Sequence, residues 1–529
     1  MIWLLLLLAV LVLQPVIIGL SEHRNPEKAL AWIFVATLLP LAGLILFYYI
    51  EKEFRPQKYS LQSASRALRV GPNGTGTLPG SLRQDLQQQD VARHQIDERQ
   101  NDAQHLQAAQ HQEDAQRLEP PCGTRDGAAV PLRRLPPSPV IGCSRSEVLA
   151  EGELAFQAML ETMERAKDHI HVEFYTIRDD GIGTSFQRMW IRKARQGVKV
   201  RILYDGLGSK DLSDAYVQAL REEGVDIRCF LPPRTFFRAG RINHRNHRKV
   251  AIVDGWTGFL GGLNIGDEYI GKHPELGYWR DTHLKLEGEA VRELERLFLH
   301  DWASASGEPL NELHKMYLGE ERADGAMPDR HAGLPGDAKV RAQTDDAGEP
   351  VQIIASGPDT GEPGILYGYL CLLHSARRTI LWTTPYFIPD AAVCKALKSA
   401  VLSGVDVRIL LPYKPDHRLV QLASLSYVKE LLQAGVRFYL YKKGFIHAKT
   451  LVVDDAAAAV GTANLDLRSL YKNYELTAFL YHPRAIRKLK EDFARDLEES
   501  EELRLDRLPS DWRRNMAISA LTRVLSPLL

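Results

Sequence analysis

A tract of eight residues occurs twice in this chain, about 200 positions apart. The first copy is His247-Arg248-Lys249-Val250-Ala251-Ile252-Val253-Asp254, and the second is His447-Ala448-Lys449-Thr450-Leu451-Val452-Val453-Asp454. Both obey H-x-K-x4-D. Each is followed at the same distance by a turn of small residues ending in asparagine, Gly261-Gly262-Leu263-Asn264 and Gly461-Thr462-Ala463-Asn464. The repetition extends further: Gly197-Val198-Lys199-Val200-Arg201-Ile202-Leu203 aligns with Gly404-Val405-Asp406-Val407-Arg408-Ile409-Leu410, and Gly224-Val225 with Gly435-Val436. Self-similarity at so long a spacing is that of a duplicated domain, not of a solenoid array. Two like halves that share one site are the fold this pattern demands.

Apolar periodicity predicts strands at 169–177, 198–204 and 225–230 in the first half, with helices at 182–196 and 213–223. In the second half it predicts strands at 379–384, 405–411 and 436–441, with helices at 391–403 and 422–434. Strands alternating with helices imply an α/β fold whose mainly parallel sheet is covered on both faces. The expected body is two tandem α/β/α repeats with pseudo-twofold symmetry, 138–310 and 351–529, the second ending in a C-terminal helix. Residues 311–350, rich in Gly, Asp and Pro, join them. The first copy carries about 11 extra residues before its histidine, centred on Leu231 to Arg238. That apolar, basic loop reads either as a lipid-entry lip or as an ordinary surface loop.

The N-terminus has a different character. Ile2 to Leu20 is apolar apart from Gln14 and Pro15, and Ala29 to Ile50 carries no charge. About 20 helical residues cross a bilayer core of about 30 Å. With the short polar link Ser21 to Lys28, residues 1–55 are expected to form a transmembrane helical hairpin. A cleaved signal peptide fits less well, because no basic region precedes the apolar run and no A-x-A site follows it. Lys52, Arg55, Lys58, Arg66 and Arg69 outnumber Arg24 and Lys28, which favours a cytoplasmic body. Residues 56–137 form a Gln-rich polar linker with too few apolar positions for a core. The five cysteines are odd in number and lack a C-x-x-C pair, as reduced thiols in a cytoplasmic compartment would. Lys and Arg together number 67, as do Asp and Glu, so the chain has no basic footprint for nucleic acid. No zinc spacing or phosphate-cradling G-x-x-x-x-G-K-[ST] loop occurs, and no metal or other cofactor is expected.

Residues two apart on a strand share a face, so His247 points with Lys249 and His447 with Lys449. Asp254 and Asp454 complete the tracts but fall on the other parity, and are expected to support structure more than to touch substrate. Asn264 and Asn464 follow tight turns and can return to the site as amide donors. This set suits a phosphodiester. A neutral imidazole can attack phosphorus, and a second imidazolium can protonate the leaving alkoxide. Two lysines and two amides can neutralise the growing charge. The two histidines must then hold different protonation states and titrate together. Asp281 and Glu475, each following the histidine of its own half, are expected to orient an imidazole through Nδ1; a surface ion pair is the alternative. Glu173, Tyr175 and Tyr386 are further candidates for the cleft, or else core and rim residues.

Paired H-x-K-x4-D tracts, each followed by G-[GST]-x-N, resemble the phospholipase D superfamily, and more narrowly its bacterial cardiolipin synthases. Four features carry the narrower resemblance: Arg24-Asn25-Pro26 with Ala31-Trp32 and Pro40; Asn243-His244-Arg245-Asn246-His247-Arg248-Lys249; Tyr278-Trp279-Arg280-Asp281-Thr282-His283; and Gly461-Thr462-Ala463-Asn464-Leu465-Asp466-Leu467-Arg468-Ser469. It covers residues 20–55 and about 138–529. The long Gln-rich linker departs from it, and Gly262 and Thr462 replace a serine common in the superfamily; Thr462 keeps a hydroxyl and Gly262 does not. The resemblance implies two phospholipase D-like repeats acting on membrane phospholipids at the bacterial inner membrane. The implied reaction is transphosphatidylation without a metal. One phosphatidylglycerol gives its phosphatidyl group to a histidine and releases glycerol, and a second accepts it to give cardiolipin. By the same resemblance His247 is the nucleophile and His447 the acid and base; the residues alone do not rank them. Hydrolysis to phosphatidic acid would use the same groups. A nuclease would leave the hairpin idle, and a scaffold would leave four intact H and K positions without use. The unrelated, polytopic cardiolipin synthases that use a CDP-activated lipid do not fit two spans and a large soluble body.

Overall fold

The computed structural model describes residues 138–232, 244–319 and 348–507, together with parts of 13–47. These lie in one compact unit, residues 1–54 with 126–529. The Gln-rich linker, the loop at 233–243, most of the joining segment and the expected C-terminal helix lie outside the described residues.

Seventeen strands are described. The first half supplies β1 (Val140–Cys143), β2 (Arg145–Glu151), β3 (His169–Phe174), β4 (Lys199–Asp205), β5 (Asp226–Phe230), β6 (Lys249–Val253), β7 (Thr257–Gly261) and β8 (Tyr278–Glu287). The second supplies β9 (Glu349–Ser356), β10 (Thr379–Thr383), β11 (Asp406–Pro412), β12 (Arg437–Tyr441), β13 (Gly444–Ile446), β14 (Thr450–Val453), β15 (Ala457–Gly461), β16 (Glu475–Leu480) and β17 (Ser500–Leu503). They form two sheets, one in the order β13-β8-β7-β6-β3-β4-β5 with β2 beside β8, the other β1-β9-β16-β15-β14-β10-β11-β12-β17. The fold is the expected α/β class, but its sheets are not mainly parallel. Only β3-β4-β5, β10-β11-β12 and the β13–β8 pair run parallel. Each H-x-K strand instead opens an antiparallel meander, β6-β7-β8 and β14-β15-β16. Alternation with helices identified the parallel part; short connections without helices build the rest.

The motif aspartates make the first turn of each meander. Asp254 has φ +52° and Asp454 φ +54°, a left-handed conformation that a short polar side chain tolerates. Asp254 accepts the backbone N–H groups of Lys167, Asp168 and His169, at 2.9, 2.8 and 3.0 Å. Asp454 accepts those of Arg377, Arg378 and Thr379, at 2.8, 2.8 and 2.7 Å. Each carboxylate thus ties the end of one strand to the start of its neighbour, roughly 20 Å from its motif histidine at the rise of an extended chain. Grouping these two residues with the reacting set, as their motif suggests, is corrected by this placement.

Three apolar cores hold the layers. One lies between the first sheet and the helices Gly152–Glu164, Gly181–Arg195 and Asp214–Glu222. A second lies under Gly364–Ser375, Ala391–Leu402 and Arg418–Gln433 on the other sheet. The third is shared: Val250, Ile252 and Leu284 of the first sheet join Val452, Ala458 and Leu476 of the second, with Phe298 and Phe493 from the helices Ala290–Ser306 and Pro483–Glu498. Burying such a side chain stabilises by about 1.5–3 kcal/mol, so this common layer binds the halves into one body. They also exchange strands, for β1 pairs with β9 and β13 with β8.

In the N-terminal segment the helix Pro26–Leu38 has 13 residues, about 20 Å long. Among the described residues no helix is long and apolar enough to cross a membrane. The run 29–50 is not a straight rod. The Trp32 ring meets Phe47 edge-on at 5.6 Å, and a Cβ on Gly43 would lie 2.6 Å from the Ala36 Cα, so the chain doubles back between them.

Asp254→Ala and Asp454→Ala are each expected to lower stability by about 2 kcal/mol, since three backbone donors lose one acceptor. The kcat of the folded fraction should fall less than about threefold. Urea unfolding midpoints beside activity per folded molecule check both; a large kcat loss at full stability would place the aspartates in the chemistry.

Candidate active site

The two motif histidines are delivered to one place by a reciprocal exchange of backbone hydrogen bonds. The His247 N–H donates to the Tyr474 carbonyl at 2.9 Å, and the His447 N–H donates to the Arg280 carbonyl at 2.7 Å. Each histidine is thereby laid against the residue just before a carboxylate of the opposite half. His247 Nδ1 meets Glu475 Oε2 at 2.9 Å, and His447 Nδ1 meets Asp281 Oδ2 at 2.7 Å. Each carboxylate meets an imidazole Nδ1, that of the opposite half: the pairs are crossed. An ionised carboxylate can only accept, so Nδ1 carries the proton in both rings and Nε2 is the nitrogen left to react.

Close approach sets the residue types around these pairs. A Cβ on Gly444 would sit 2.0 Å from the Tyr278 carbonyl oxygen, so only glycine lets β13 run beside β8 and bring His447 in. A Cβ on Gly262 would sit 2.0 Å from Asp281 Oδ1. The matching Thr462 has room, and its hydroxyl donates to the longer Glu475. A short acid with glycine in one half and a long acid with threonine in the other solve the same space.

Both lysines turn back onto their own tract. Lys249 Nζ donates to the His247 carbonyl at 2.7 Å, and Lys449 Nζ to the His447 carbonyl. Tyr175 packs edge-on to His247 at 5.1 Å and lies 5.5 Å from the Lys249 ammonium. His447 packs against Trp279, at 5.3 Å, and Phe445, at 5.9 Å, two rings that also touch each other. The asparagines divide. Asn264 accepts the Thr176 N–H and donates to the Tyr269 hydroxyl, both at 3.1 Å, so its amide is used within the fold and the donor role expected for it is corrected. Asn464 is buried with its Oδ1 lacking a protein partner.

Burial dominates the electrostatics. It pulls His247 down to about 4; Glu475 opposes and the two lysines reinforce the shift. His447 is lowered by burial and by Lys449. Burial brings Lys249 down to about 7 and Lys449 to about 8, despite the nearby carboxylates. Asp281 and Glu475 stay below the usual carboxylate range although burial opposes this: Lys449 and His447 hold Asp281, and His247 and Lys249 hold Glu475. The resting site therefore combines neutral imidazoles, ionised acids and lysines that can lose a proton near neutral pH.

Other members were not singled out by motif spacing. Arg248 is buried; it reaches Asp301, approaches the Glu475 carbonyl at 3.4 Å and lies 5.5 Å from the Tyr474 ring. Asn246 donates to Glu173, whose carboxyl burial and Asp301 push well above its ordinary range. His283, on the same face of β8 as Asp281, is fully buried with neither ring nitrogen bonded to protein. Glu173, between Val172 and Phe174 on β3, gives the signal of a polar residue among apolar neighbours; Asn246 and Arg248 stand in a polar run and give none. Two groups of described residues bring three possible metal-ligand atoms within 4.8 Å, His169-His171-Glu295 and His300-Asp301-Asp359. In the first, Glu295 already bridges both rings; in the second, Asp301 is engaged by Arg248.

Two α/β halves that cross-pair their H-x-K histidines with carboxylates define a phospholipase D-like protein. The chain matches the family described as "Cardiolipin synthase, PLD-like domain" over residues 159–302 and 369–497. It is 39% identical over 508 residues to "Cardiolipin synthase 2" of Bacillus anthracis, covering 96% of this chain and 88% of that protein. With "Cardiolipin synthase" of Halalkalibacterium halodurans it shares 37% over 509 residues, covering 96% and 90%. The crystal structure of phosphatidylserine synthase from Haemophilus influenzae Rd KW20 superposes with a TM-score of 0.57 at 15% identity, over 75% of this chain and 98% of that one, a likeness of fold. The chain belongs to the cardiolipin synthase family of phospholipase D-like proteins.

kcat/KM reports the free enzyme. It should rise through about pH 4 as His247 sheds its proton, then fall above about pH 7 to 8 as Lys249 and Lys449 lose theirs. Glu475 raises the proton affinity of Lys249, so Glu475→Gln should move the alkaline limb to lower pH and reduce kcat by roughly 10- to 100-fold. An alkaline limb unmoved in this variant would show that Glu475 does not act on Lys249.

Proposed function

We propose that this protein makes cardiolipin by transferring a phosphatidyl group between two phosphatidylglycerol molecules, with His247 as nucleophile and His447 as acid and base. Nε2 of neutral His247 attacks phosphorus, and the bond from phosphorus to the glycerol oxygen breaks. His447 gives its Nε2 proton to that oxygen, and glycerol leaves. The neutral His447 then takes the proton from a headgroup hydroxyl of the second phosphatidylglycerol. That oxygen attacks phosphorus, the P–N bond breaks, and His247 recovers its electron pair. Lys249 and Lys449 neutralise the phosphoryl oxygens, with Asn464 as a further donor. The single observation that carries this reading is the crossed pair His247–Glu475 and His447–Asp281, which commits both Nδ1 atoms and leaves two Nε2 atoms to share the work.

The role of His447 requires a proton that the resting site does not hold firmly. A bound phosphodiester supplies the reason, because its anion beside the imidazole favours the protonated form. The membrane supplies both lipids. We place the chain at the bacterial inner membrane through its apolar segments 2–20 and 29–50, with the body on the cytoplasmic side favoured by the basic residues after position 51.

The test uses purified protein in mixed micelles with phosphatidylglycerol as the only phospholipid, and mass spectrometry of the products. Cardiolipin and glycerol should form in equal amounts and disappear in His247→Ala and His447→Ala. Phosphatidic acid in place of cardiolipin would make the protein a hydrolase, and turnover surviving either substitution would remove the shared two-histidine site.

A further inference from the structure

A cavity opens at the carboxyl ends of the parallel strands β10 and β11, the end of an α/β sheet where ligands bind. Its wall is mostly apolar, with Pro412, Pro415 and Val420 among the lining residues; its polar groups are Tyr386, Asp416 and His417, with Gln421 and Ser424. An apolar pocket with a few converging polar groups is the usual form of a small-ligand site. The Tyr386 hydroxyl donates to Asp416 Oδ2, and His417 Nε2 lies 3.8 Å from the same oxygen. An ionised carboxylate has about four acceptor positions, so these two neighbours leave Asp416 capacity to accept from a ligand.

The cavity adjoins the reacting groups. Thr383, at the end of β10, pairs with Thr450, the residue after Lys449, and Tyr386 lies three residues beyond it. The end of β11 packs against β13, the strand that leads into His447. Asp416 acts electrostatically on Lys449, and Tyr175, which packs on His247, acts on Tyr386.

The first half differs at the matching position. The aligned strands β4 and β11 place Ser209 where the second half has Asp416. Ser209 is buried, its hydroxyl donating to the Tyr175 carbonyl and accepting the Ile177 N–H. Its polar capacity is used by the loop itself. The cavity lies on the His447 side, where in the proposed reaction the leaving alcohol departs and the accepting alcohol enters.

We propose that this cavity is the alcohol subsite, in which Asp416, held by Tyr386, accepts a hydrogen bond from a hydroxyl neighbouring the one that reacts. The ligand class is a vicinal polyol headgroup such as glycerol, met once as leaving group and once as acceptor. This deepens the transphosphatidylation reading and rests on it. A site built to bond a hydroxyl discriminates against an analogue that lacks it, because its own polar group is then left unpaired. Asp416 is thus a specificity determinant separate from the histidines and lysines.

The test is a competition, which reads a ratio and so does not depend on how much of a variant folds. The full-length protein in phosphatidylglycerol micelles receives equimolar deuterated glycerol and 1-propanol. Deuterated phosphatidylglycerol and phosphatidylpropanol are then counted by mass spectrometry. The wild type should favour glycerol by about tenfold or more, and Asp416→Asn and Tyr386→Phe should bring the ratio toward unity. A ratio unchanged in both variants, or no preference in the wild type, would overturn the subsite. Failure of the wild type to make cardiolipin from phosphatidylglycerol alone, with the glycerol preference and its loss intact, would instead overturn the proposed acceptor lipid and leave the subsite standing.

Discussion

The reciprocal backbone bonds from His247 to Tyr474 and from His447 to Arg280 are what the site depends on. A side-chain contact can be made by many backbones, but a main-chain bond at 2.7 to 2.9 Å fixes where the following side chain begins. Because Asp281 follows Arg280 and Glu475 follows Tyr474, each carboxylate must rise beside the histidine of the other half. The exchange of β13 onto β8 and the apolar layer shared by the sheets hold that geometry. Neither motif histidine meets its carboxylate partner within its own half, which is why the duplication had to fold as one body.

Bringing these groups together also sets their charges. Two lysines, two acids and the His447 imidazole are buried at one point, with the His247 ring, 12 % exposed, beside them. If both acids are ionised and both lysines protonated, the imidazoles must be neutral for the charges to balance, and burial pushes both rings toward that form. A phosphodiester entering this site adds one negative charge, and the balance is restored by one proton on one ring. In the proposed reaction the bound substrate thus supplies the unequal protonation of the two histidines.

The sequence carried much of this, in proportion to how local each feature is. The duplicated tract, the strands β4, β5, β11 and β12, and the lysines two residues after each histidine follow from spacing along one element, and they lie within a residue or two of their expected positions. The α/β class was readable for the same reason. The parity of Asp254 and Asp454 already separated them from the histidines, though only the structure shows the three backbone donors each one holds. The crossed carboxylates were not readable, because Asp281 and Glu475 each lie in the half that they do not serve, and only topology brings them across. Arg248, Asn246 and Asp301 were not placed in the site because a buried polar or charged residue looks the same in a sequence as an exposed one. The long antiparallel meanders were missed because strand alternation reports burial on one face and says nothing of a neighbour's direction.

The two halves are alike in path but not in what lies behind their histidines. On β3 the residues facing the helix Ala290–Ser306 include His169, His171 and Glu173, linked to Glu295 and, through Asn246 and Arg248, to Asp301. The turn aspartates give the register between halves, since Asp254 caps His169 and Asp454 caps Thr379. The corresponding residues of β10 are therefore Thr379, Leu381 and Thr383, and the position of Arg248 is Ala448. Hydrogen bonds within a buried network strengthen one another, although His171, Arg248 and Asp301 each keep one buried polar atom without a partner. His247 rests on such a network, with Arg248 reaching the carbonyl of its own carboxylate partner. His447 rests instead on Trp279 and Phe445, and the cavity at Asp416 lies on its side. A nucleophile that stays bonded to phosphorus between two displacements benefits from a fixed backing. An acid that must meet first one alcohol and then another benefits from open space beside it, and the difference between the halves runs in that direction.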